Sequence, residues 1–283
     1  MAIVINSNLA ALNARKNLAI SQDALATSIA RLSSGQRITR ASDDAAGLAI
    51  SEKLNAQIRG FAVASRNASN AISVVSTAEG TLNEVTSLLT RMRELAVQAA
   101  SGDLGSAERG NLDTEFKALL TEIDRMVAAT AFNGQALFST GATVTTSFQI
   151  GINSGDTLAV GVSAANISAL SQGLVTNTPG ATNTISTAAQ AAQLLGGIDS
   201  AISGVTTNRG ALGAAQNRLE SIVRNLAVTI ETSSAANSRI RDVDVAEETA
   251  TYTKNQILVQ AGVSVLAQAN QAPQIALSLL GGR

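Results

Sequence analysis

Apolar residues recur every seven positions along the first half of the chain. Two such series run from residue 61 to residue 99, with no proline between them: Phe61, Ala68, Val75, Leu82, Leu89 and Ala96, and Ala64, Ala71, Ala78, Val85, Met92 and Ala99. A sustained seven-residue repeat predicts an α-helical coiled coil. A helix that begins near Asp44 would have about 55 residues and a length of about 80 Å.

Two further helical patterns provide partners for this helix. The first has an apolar residue at alternating spacings of four and three, and it predicts a helix that folds back antiparallel, closed by the turn FNG at residues 132–134. The second begins near Ala188 and is less regular, because Arg209 and Gln216 interrupt it. The apolar positions are Leu112, Phe116, Leu119, Ile123 and Met126 in the first, and Leu195, Ile198, Ile202, Val205, Leu212, Leu219, Val223, Leu226 and Ile230 in the second.

Between these helical regions, residues 140–187 are rich in serine, threonine, glycine and asparagine. Apolar and polar residues alternate from Thr143 to Ile150 and again from Thr157 to Val162. The sequence NSGD at residues 153–156 separates the two stretches and is typical of a hairpin turn. We therefore predict a small β-hairpin with loops, too short for a second full domain.

Each end of the chain carries an amphipathic helical pattern, and no other segment is available to cover both. Isolated terminal helices of this kind tend to fray. If the two ends pair with each other and then with copies from other chains, their apolar faces become buried only on assembly. The residues expected to make these contacts are Ile5, Leu9, Leu12, Leu18, Leu25, Ile29 and Leu32, and Ile257, Leu258, Val265, Leu266, Ile275, Leu279 and Leu280.

Short turns separate the helical segments. The sequence SSG at residues 33–35 fits a helix C-terminus with glycine in the left-handed position, and SDD at residues 42–44 supplies a cap for the next helix. We predict a mainly α fold, a long antiparallel coiled-coil bundle with a small β-hairpin region. The segments are residues 1–43 (terminal helix and loop), 44–139 (long helices), 140–187 (β and loops), 188–237 (partner helix) and 238–283 (terminal helix).

Composition excludes several kinds of chemistry. The chain has no histidine and no cysteine, so it has no Ser-His-Asp or Cys-His nucleophile, no thiol redox pair and no ordinary zinc site. It contains neither of the glycine-rich nucleotide-binding motifs GxxxxGK[ST] and GxGxxG. Asp43 and Asp44 are adjacent and would not face each other on a helix, so capping is preferred over acid catalysis or cation binding. We expect no catalytic residue, no cofactor and no metal.

Charge and hydropathy limit the partners. The net charge is -1, from 20 basic and 21 acidic residues, which gives no overall field for nucleic acid. The longest apolar stretches are well short of the roughly 20 residues that a membrane span needs. The first residues lack the basic region and cleavage site of a secretory signal. We expect no nucleic-acid partner and no membrane insertion, and any export would occur without a cleaved signal.

Long motifs at both ends resemble those of one protein family. In the first 140 residues they are INSNLAALNA (5–14), LSSGQRI (32–38), ASDDAAGLAI (41–50), RELAVQ (93–98) and FNG (132–134). In the last 95 residues they are SRIRDVD (238–244), QIL (256–258), QAG (260–262) and SVLAQANQ (264–271). On these colinear motifs the chain resembles bacterial flagellin, in a short form that lacks large variable outer domains.

The resemblance implies a structural subunit that polymerises into the helical flagellar filament used for swimming. It implies that the terminal helices pair in the inner core of the filament, and that the loop carrying Arg37, Arg40, Asp43 and Asp44 contacts other subunits. It also implies an extracellular location, export through the flagellum's own secretion apparatus with a chaperone, and contact with filament cap and hook-junction proteins.

Three residues, Arg91, Leu95 and Glu115, fall where the resemblance places contacts with a vertebrate innate-immune receptor. The alternative is that Leu95 supports packing while Arg91 and Glu115 lie on a solvated face or make axial subunit contacts. For the whole chain, a hook-filament junction protein is the alternative within the flagellum. A coiled-coil signalling module is an alternative of another class, but it leaves the β-prone middle and the amphipathic ends unexplained.

Overall fold

A computed structural model describes residues 7–138, 143–163 and 183–281, with the side chains of residues 143, 162–163 and 272–281 excepted. The described residues form five α-helices and four short β-strands, so the predicted mainly α fold with a small β-hairpin region is confirmed. In chain order these are α1 (Leu9–Ser34), α2 (Ala45–Ala99), α3 (Ser106–Ala129), β1 (Ala131–Phe132), β2 (Gln135–Ala136), β3 (Thr143–Gln149), β4 (Thr157–Ser163), α4 (Ala188–Arg241) and α5 (Val245–Gly281).

The chain divides into two compact units. Residues 1–58 and 231–283 form one, which we call the terminal unit, and residues 59–230 form the other, the central unit. Helices α2 and α4 contribute residues to both, so the units divide inside helices. The boundaries inferred from the sequence differ: the one after residue 43 lies in the loop before α2, and the one after residue 237 lies inside α4, which ends at Arg241. Neither coincides with the division into units, because a continuous helix has no turn residues to mark that division.

The heptad seam of α2 forms the core of the central unit. All the predicted seam positions are buried except Phe61, which is half-buried. Many of them are alanines, so neighbouring helices can approach α2 closely. Phe116 and Ile123 on α3, and Ile198, Val205, Leu212 and Leu219 on α4, are buried in the same cluster. The coiled-coil prediction is therefore confirmed in its packing.

Polar contacts fix the directions of α3 and α4 against α2. The Arg109 guanidinium near the start of α3 donates to the Ala99 carbonyl oxygen at the end of α2, at 2.9 Å. Arg93 on α2 pairs with Asp199 at 2.7 Å, and Glu79 lies 3.9 Å from Arg209. Both helices therefore run antiparallel to α2, and Arg209, which interrupts the α4 seam, has an acidic partner there.

Two hairpins lie in the central unit. Asn133 and Gly134 have φ of 50° and 78° and join β1 to β2, a pairing of residue types that two-residue hairpin turns favour. Strands β3 and β4 pair antiparallel over seven positions, and alternate residues of β4, Leu158 and Val160, are buried against the helices. The predicted strands each differ from the observed ones by one residue at one end.

Asp113 on α3 holds the segment that precedes α4. Its Oδ1 accepts hydrogen bonds from the Thr184 hydroxyl at 2.7 Å and the Ile185 amide at 2.8 Å, and its Oδ2 lies 2.6 Å from Lys117 Nζ. Burial raises the pKa of Asp113, but the hydrogen bonds from Lys117, Thr184 and Ile185 outweigh burial and leave the pKa below its usual value. The ionised carboxylate therefore stabilises the fold.

We expect the contribution of Asp113 to disappear in acid. Because folding lowers its pKa, the stabilisation is present above the pKa of the unfolded chain, about 3.9, and is lost as the pH falls through the lower folded pKa. Asp113→Asn keeps an acceptor for Thr184 and Ile185 but cannot titrate. Chemical denaturation at about pH 7 and about pH 3 should show a smaller advantage of the parent over the variant at the lower pH. An equal advantage at both would contradict this assignment.

Candidate functional site

Helices α1 and α5 form an antiparallel pair within the terminal unit. Asn8 donates from its side-chain amide to the Ala269 carbonyl oxygen at 2.8 Å. At the other end of the pair, Arg31 Nη1 lies 3.6 Å from Glu248 Oε2. Between these contacts Gly262 faces Leu18 so closely that an added Cβ would lie 3.2 Å from Leu18 Cδ1. The full described length of α1 is thus held against α5.

The seam between the two helices follows a heptad spacing, but its residues are mostly small or polar. Each helix turns a less exposed residue towards the other at alternating intervals of three and four. These residues include Ala11, Ala14, Leu18, Ser21, Leu25, Ser28 and Leu32 on α1, and Glu248, Tyr252, Asn255, Val259, Gly262, Leu266 and Ala269 on α5. The residues predicted from the apolar pattern include only four members of this seam, Leu18, Leu25, Leu32 and Leu266. Its small and polar members were not recognised, although their regular spacing was a readable signal.

Large aliphatic side chains on the same helices point away from the seam. Their exposed fractions range from 45% for Leu258 to 68% for Leu9. We call them the exposed aliphatic set: Leu9, Leu12, Ile20, Ile29, Ile257, Leu258, Val263 and Val265. Aliphatic residues exposed in such number on one helix pair form the kind of surface that marks an interaction site.

The predicted assembly residues divide into three groups. Leu9, Leu12, Ile29, Ile257, Leu258 and Val265 belong to the exposed aliphatic set. Leu18, Leu25, Leu32 and Leu266 are half-buried in the seam of the pair. Ile5 lies outside the described residues, as do the side chains of Ile275, Leu279 and Leu280. Ile20 and Val263 carry equivalent exposed surface and were not among the predicted assembly residues.

A buried polar contact closes the seam near the start of α5. Ser28, Asn255 and Glu248 are each at least nine-tenths buried. Besides the contact between Arg31 and Glu248, Arg31 Nε and Glu248 Oε1 have no hydrogen-bond partner among the described residues. Polar groups at core positions of a helix pair select its register at a cost in stability. The pair is therefore defined in register but weakly stabilised by its own contacts.

The loop between α1 and α2 is tied to the turn between α4 and α5. Gly35 ends α1 with φ of 69° and accepts a hydrogen bond from the Val243 amide at 3.1 Å. The Arg37 amide donates to the Arg241 carbonyl oxygen, and its guanidinium donates to that of Ile240, both at 2.7 Å. Of the residues expected to contact other subunits, Arg37 therefore has partners within the chain.

The remaining polar residues of that loop have distinct local roles. Asp43 Oδ2 accepts hydrogen bonds from the Arg40 and Thr39 amides and the Thr39 hydroxyl, which lower the pKa of Asp43. Asp44 Oδ1 accepts a hydrogen bond from the Gly47 amide at 2.8 Å, so Asp44 is the cap of α2. The side chain of Arg40 is exposed. A contact of this loop with other subunits stays a prediction.

Removing the cap of α2 should destabilise the chain modestly. We expect Asp44→Ala to lower the free energy of unfolding by about 1 kcal/mol, because the Gly47 amide loses its acceptor. Asp44→Asn is the matched control, since asparagine caps helices about as well as aspartate. Denaturation followed by circular dichroism measures both. A loss in the asparagine variant as large as in the alanine variant would mean that charge, and not capping, is responsible.

Comparison with known proteins places the chain in a family. Family models of the bacterial flagellin N-terminal and C-terminal helical regions match residues 5–143 and 195–280. A flagellin of Halalkalibacterium halodurans is 44% identical over 278 residues, which cover 98% of this chain and 100% of the relative. A flagellin of Bacillus subtilis is 42% identical over 303 residues, which cover 98% of this chain and 99% of the relative. The chain belongs to the bacterial flagellin family.

As a member of the flagellin family, the chain is a structural subunit of the flagellar filament. A solved structure described as a putative flagellar hook-associated protein from Vibrio parahaemolyticus is also similar, with a TM-score of 0.57, 18% identity and coverage of 71% of this chain and 100% of that one. At that identity the likeness extends to the fold alone. The full-length matches to flagellins therefore decide between the filament subunit and the junction protein.

The three residues expected at the immune-receptor contact differ in accessibility in this flagellin-family chain. Arg91 and Glu115 are exposed and joined by an ion pair of 2.8 Å. The hydrogen bond from Arg91 to Glu115 raises the pKa of Arg91, and the hydrogen bond to Glu94 raises it to a smaller extent. Leu95 is fully buried in the core. Only Arg91 and Glu115 could therefore touch a partner without rearrangement, and Leu95 packs inside the central unit.

In the part of the chain that the structure describes, no helix is apolar over a sufficient length to cross a bilayer. Across residues 7–138, 143–163 and 183–281, acidic side chains do not gather in threes where a metal ion could be held.

Proposed function

We propose that this chain polymerises by burying the exposed aliphatic set of α1 and α5 between copies. The main support is that these side chains are 45–68% exposed although their helices are already paired. The seam between α1 and α5 uses mostly small and polar residues, so the larger apolar surface is directed outward. Membership of the flagellin family supports a second copy of the chain as the partner.

Burial of this set can drive assembly. Full burial of one large aliphatic side chain contributes about 1.5–3 kcal/mol. Association costs at least several kcal/mol in lost freedom of motion, so several such side chains must be buried together. The exposed aliphatic set includes residues of both helices. Assembly would then stabilise the pair, whose own polar seam contributes little.

Truncation of either end tests this mechanism. Polymerisation of purified protein, induced by salt or seeds and viewed by negative-stain microscopy, should give filaments from the full chain. Removal of the first 20 or of the last 20 residues should prevent filament formation, because half of each terminal contact is lost. Circular dichroism should show that the truncated chains keep their central helices. Filaments from a truncated chain at the parent's concentration would contradict the mechanism.

We propose an extracellular location and export through the flagellum's own secretion apparatus, without a cleaved signal. An export chaperone, the filament cap and hook-junction proteins are the proposed partners, and catalysis forms no part of the function. Family membership supports this route. Immunoblots of cells and medium from a strain without the flagellar secretion apparatus should find the protein only in cells. Normal amounts in the medium would argue for another route.

We also propose recognition of the monomer by a vertebrate innate-immune receptor, through Arg91 and Glu115. Support comes from their exposure and their position on adjacent helices. Receptor-expressing cells should respond to the parent monomer and less to Arg91→Ala or Glu115→Ala. Either variant removes only a surface ion pair, which contributes about 0–1 kcal/mol to stability. No response to the parent monomer would remove the proposal.

A further inference from the structure

A groove with a volume of about 230 Å³ opens along one side of the pair formed by α1 and α5. Its floor is Gly262 against Leu18, and its walls include Ala14, Ala261 and Val265. The groove exists because glycine and alanine occupy positions where larger side chains would fill it. An apolar cavity of about 150 Å³ can hold benzene. This groove is therefore large enough for one branched aliphatic side chain.

The opposite side of the same pair carries side chains of that kind. Successive helical residues point about 100° apart, because a turn has 3.6 residues. Ala261 and Val263 flank the seam residue Gly262, so they lie on opposite sides of the seam, Ala261 in the groove and Val263 away from it. Ile29 likewise follows the buried seam residue Ser28. Val263 is 52% exposed and Ile29 is 51% exposed.

We propose that the groove receives Val263 or Ile29 of a second copy of the chain. The inference rests on the proposed function and adds the geometry of the contact. The groove and the inserted side chain lie on opposite sides of the pair. A contact between two copies therefore uses the groove of one and the inserting side of the other, and it leaves the first copy's inserting side and the second copy's groove free. Such a heterologous contact grows without limit when it does not close into a ring. A self-complementary contact would stop at a dimer.

Filling the groove tests the contact. Ala261→Leu places a larger side chain on the groove wall without changing a residue of the seam. It should raise the lowest protein concentration that supports polymerisation by about tenfold or more. Ala250→Leu is the matched control, because Ala250 is exposed on the same helix, does not line the groove and lies several turns before Val263. Equal losses in the two variants, or none in Ala261→Leu, would overturn the proposal.

Crosslinking tests which residues meet. The chain has no cysteine, so introduced pairs report without background. The double variants Ala261→Cys with Val263→Cys, and Ala261→Cys with Ile29→Cys, are polymerised, mildly oxidised and run on a denaturing gel without reductant. A disulfide requires Cα atoms within about 7 Å. At least one double variant should therefore give a series of bands larger than the dimer, while the variants with a single cysteine stay uncrosslinked.

The outcomes separate the two proposals. Filaments of both double variants that give no bands larger than the dimer would overturn the groove contact and leave the proposed function standing. Failure of the unsubstituted chain to form filaments would refute the proposed function itself. A band at the dimer position alone would also overturn the groove contact, because a self-complementary interface joins copies only in pairs.

Discussion

Replacing Ile257 with aspartate should raise the protein concentration needed for polymerisation by more than about 100-fold. Ile257 is 59% exposed in the chain, and the proposed filament covers it. The variant loses about 1.5–3 kcal/mol of aliphatic burial, and a carboxylate in an apolar contact costs several kcal/mol more. Each 1.4 kcal/mol changes the equilibrium tenfold. Sedimentation of polymer from monomer over a concentration series measures the effect.

The matched control is Ile257→Leu, which keeps the apolar volume of the site. Volume-conserving apolar exchanges are well tolerated, so we expect this variant to polymerise within a few-fold of the parent. Both monomers should keep the parent's helical content, because exposed substitutions change stability by about 0.5 kcal/mol or less. Polymerisation of the aspartate variant at the parent's concentration would show that Ile257 lies outside the contacts between subunits.

Replacing Phe116 with alanine should reduce the free energy of unfolding by about 3–5 kcal/mol. Phe116 has no exposed surface, and it packs in the cluster that joins α3 to the seam of α2. The alanine variant loses apolar burial and leaves a cavity that close-packed helices cannot fill. For a unit of this size the melting temperature should fall by about 6–20 °C. Thermal unfolding of the monomer measures it.

Two valines on α2 allow the same substitution to be compared at a buried and at an exposed position. Val85 is fully buried and Val97 is 49% exposed, so the change to alanine deletes the same atoms in two environments. We expect Val85→Ala to lower stability clearly and Val97→Ala to change it by about 0.5 kcal/mol or less. Equal effects of the two substitutions would mean that the cluster around α2 does not stabilise the central unit as its packing indicates.

The long helices could be predicted from the sequence because their packing is repetitive. In a heptad seam such as Val75, Leu82 and Leu89, burial and apolar character coincide at every repeat, so a period is enough to place the helix. The β3–β4 hairpin was also predictable, since alternation and a turn sequence mark it. The division into two units was not, because it falls inside α2 and α4, where no change of secondary structure marks it.

The candidate site was predictable only in part, for a physical reason. Apolar residues such as Ile257, which the sequence assigned to assembly, are exposed in the chain, and their burial between subunits stays a prediction. The polar members of the seam within the pair, Ser28, Asn255 and Glu248, escaped notice because their residue types are usually exposed. A count of apolar residues therefore finds the outward surface but only part of the seam between the two helices. Leu95 shows the converse, since a residue that the resemblance placed at a receptor contact is buried, in agreement with the alternative that it supports packing.

The small and polar seam between α1 and α5 has a kinetic consequence. A subunit at the end of a growing polymer has fewer neighbours than one inside it, so its terminal helices are only partly covered. Small oligomers would then be disproportionately unstable, and polymer should appear after a lag that seeds abolish. Amide hydrogens of α1 should exchange quickly in the monomer and slowly in the filament, while those of α2 near Leu89 should exchange slowly in both.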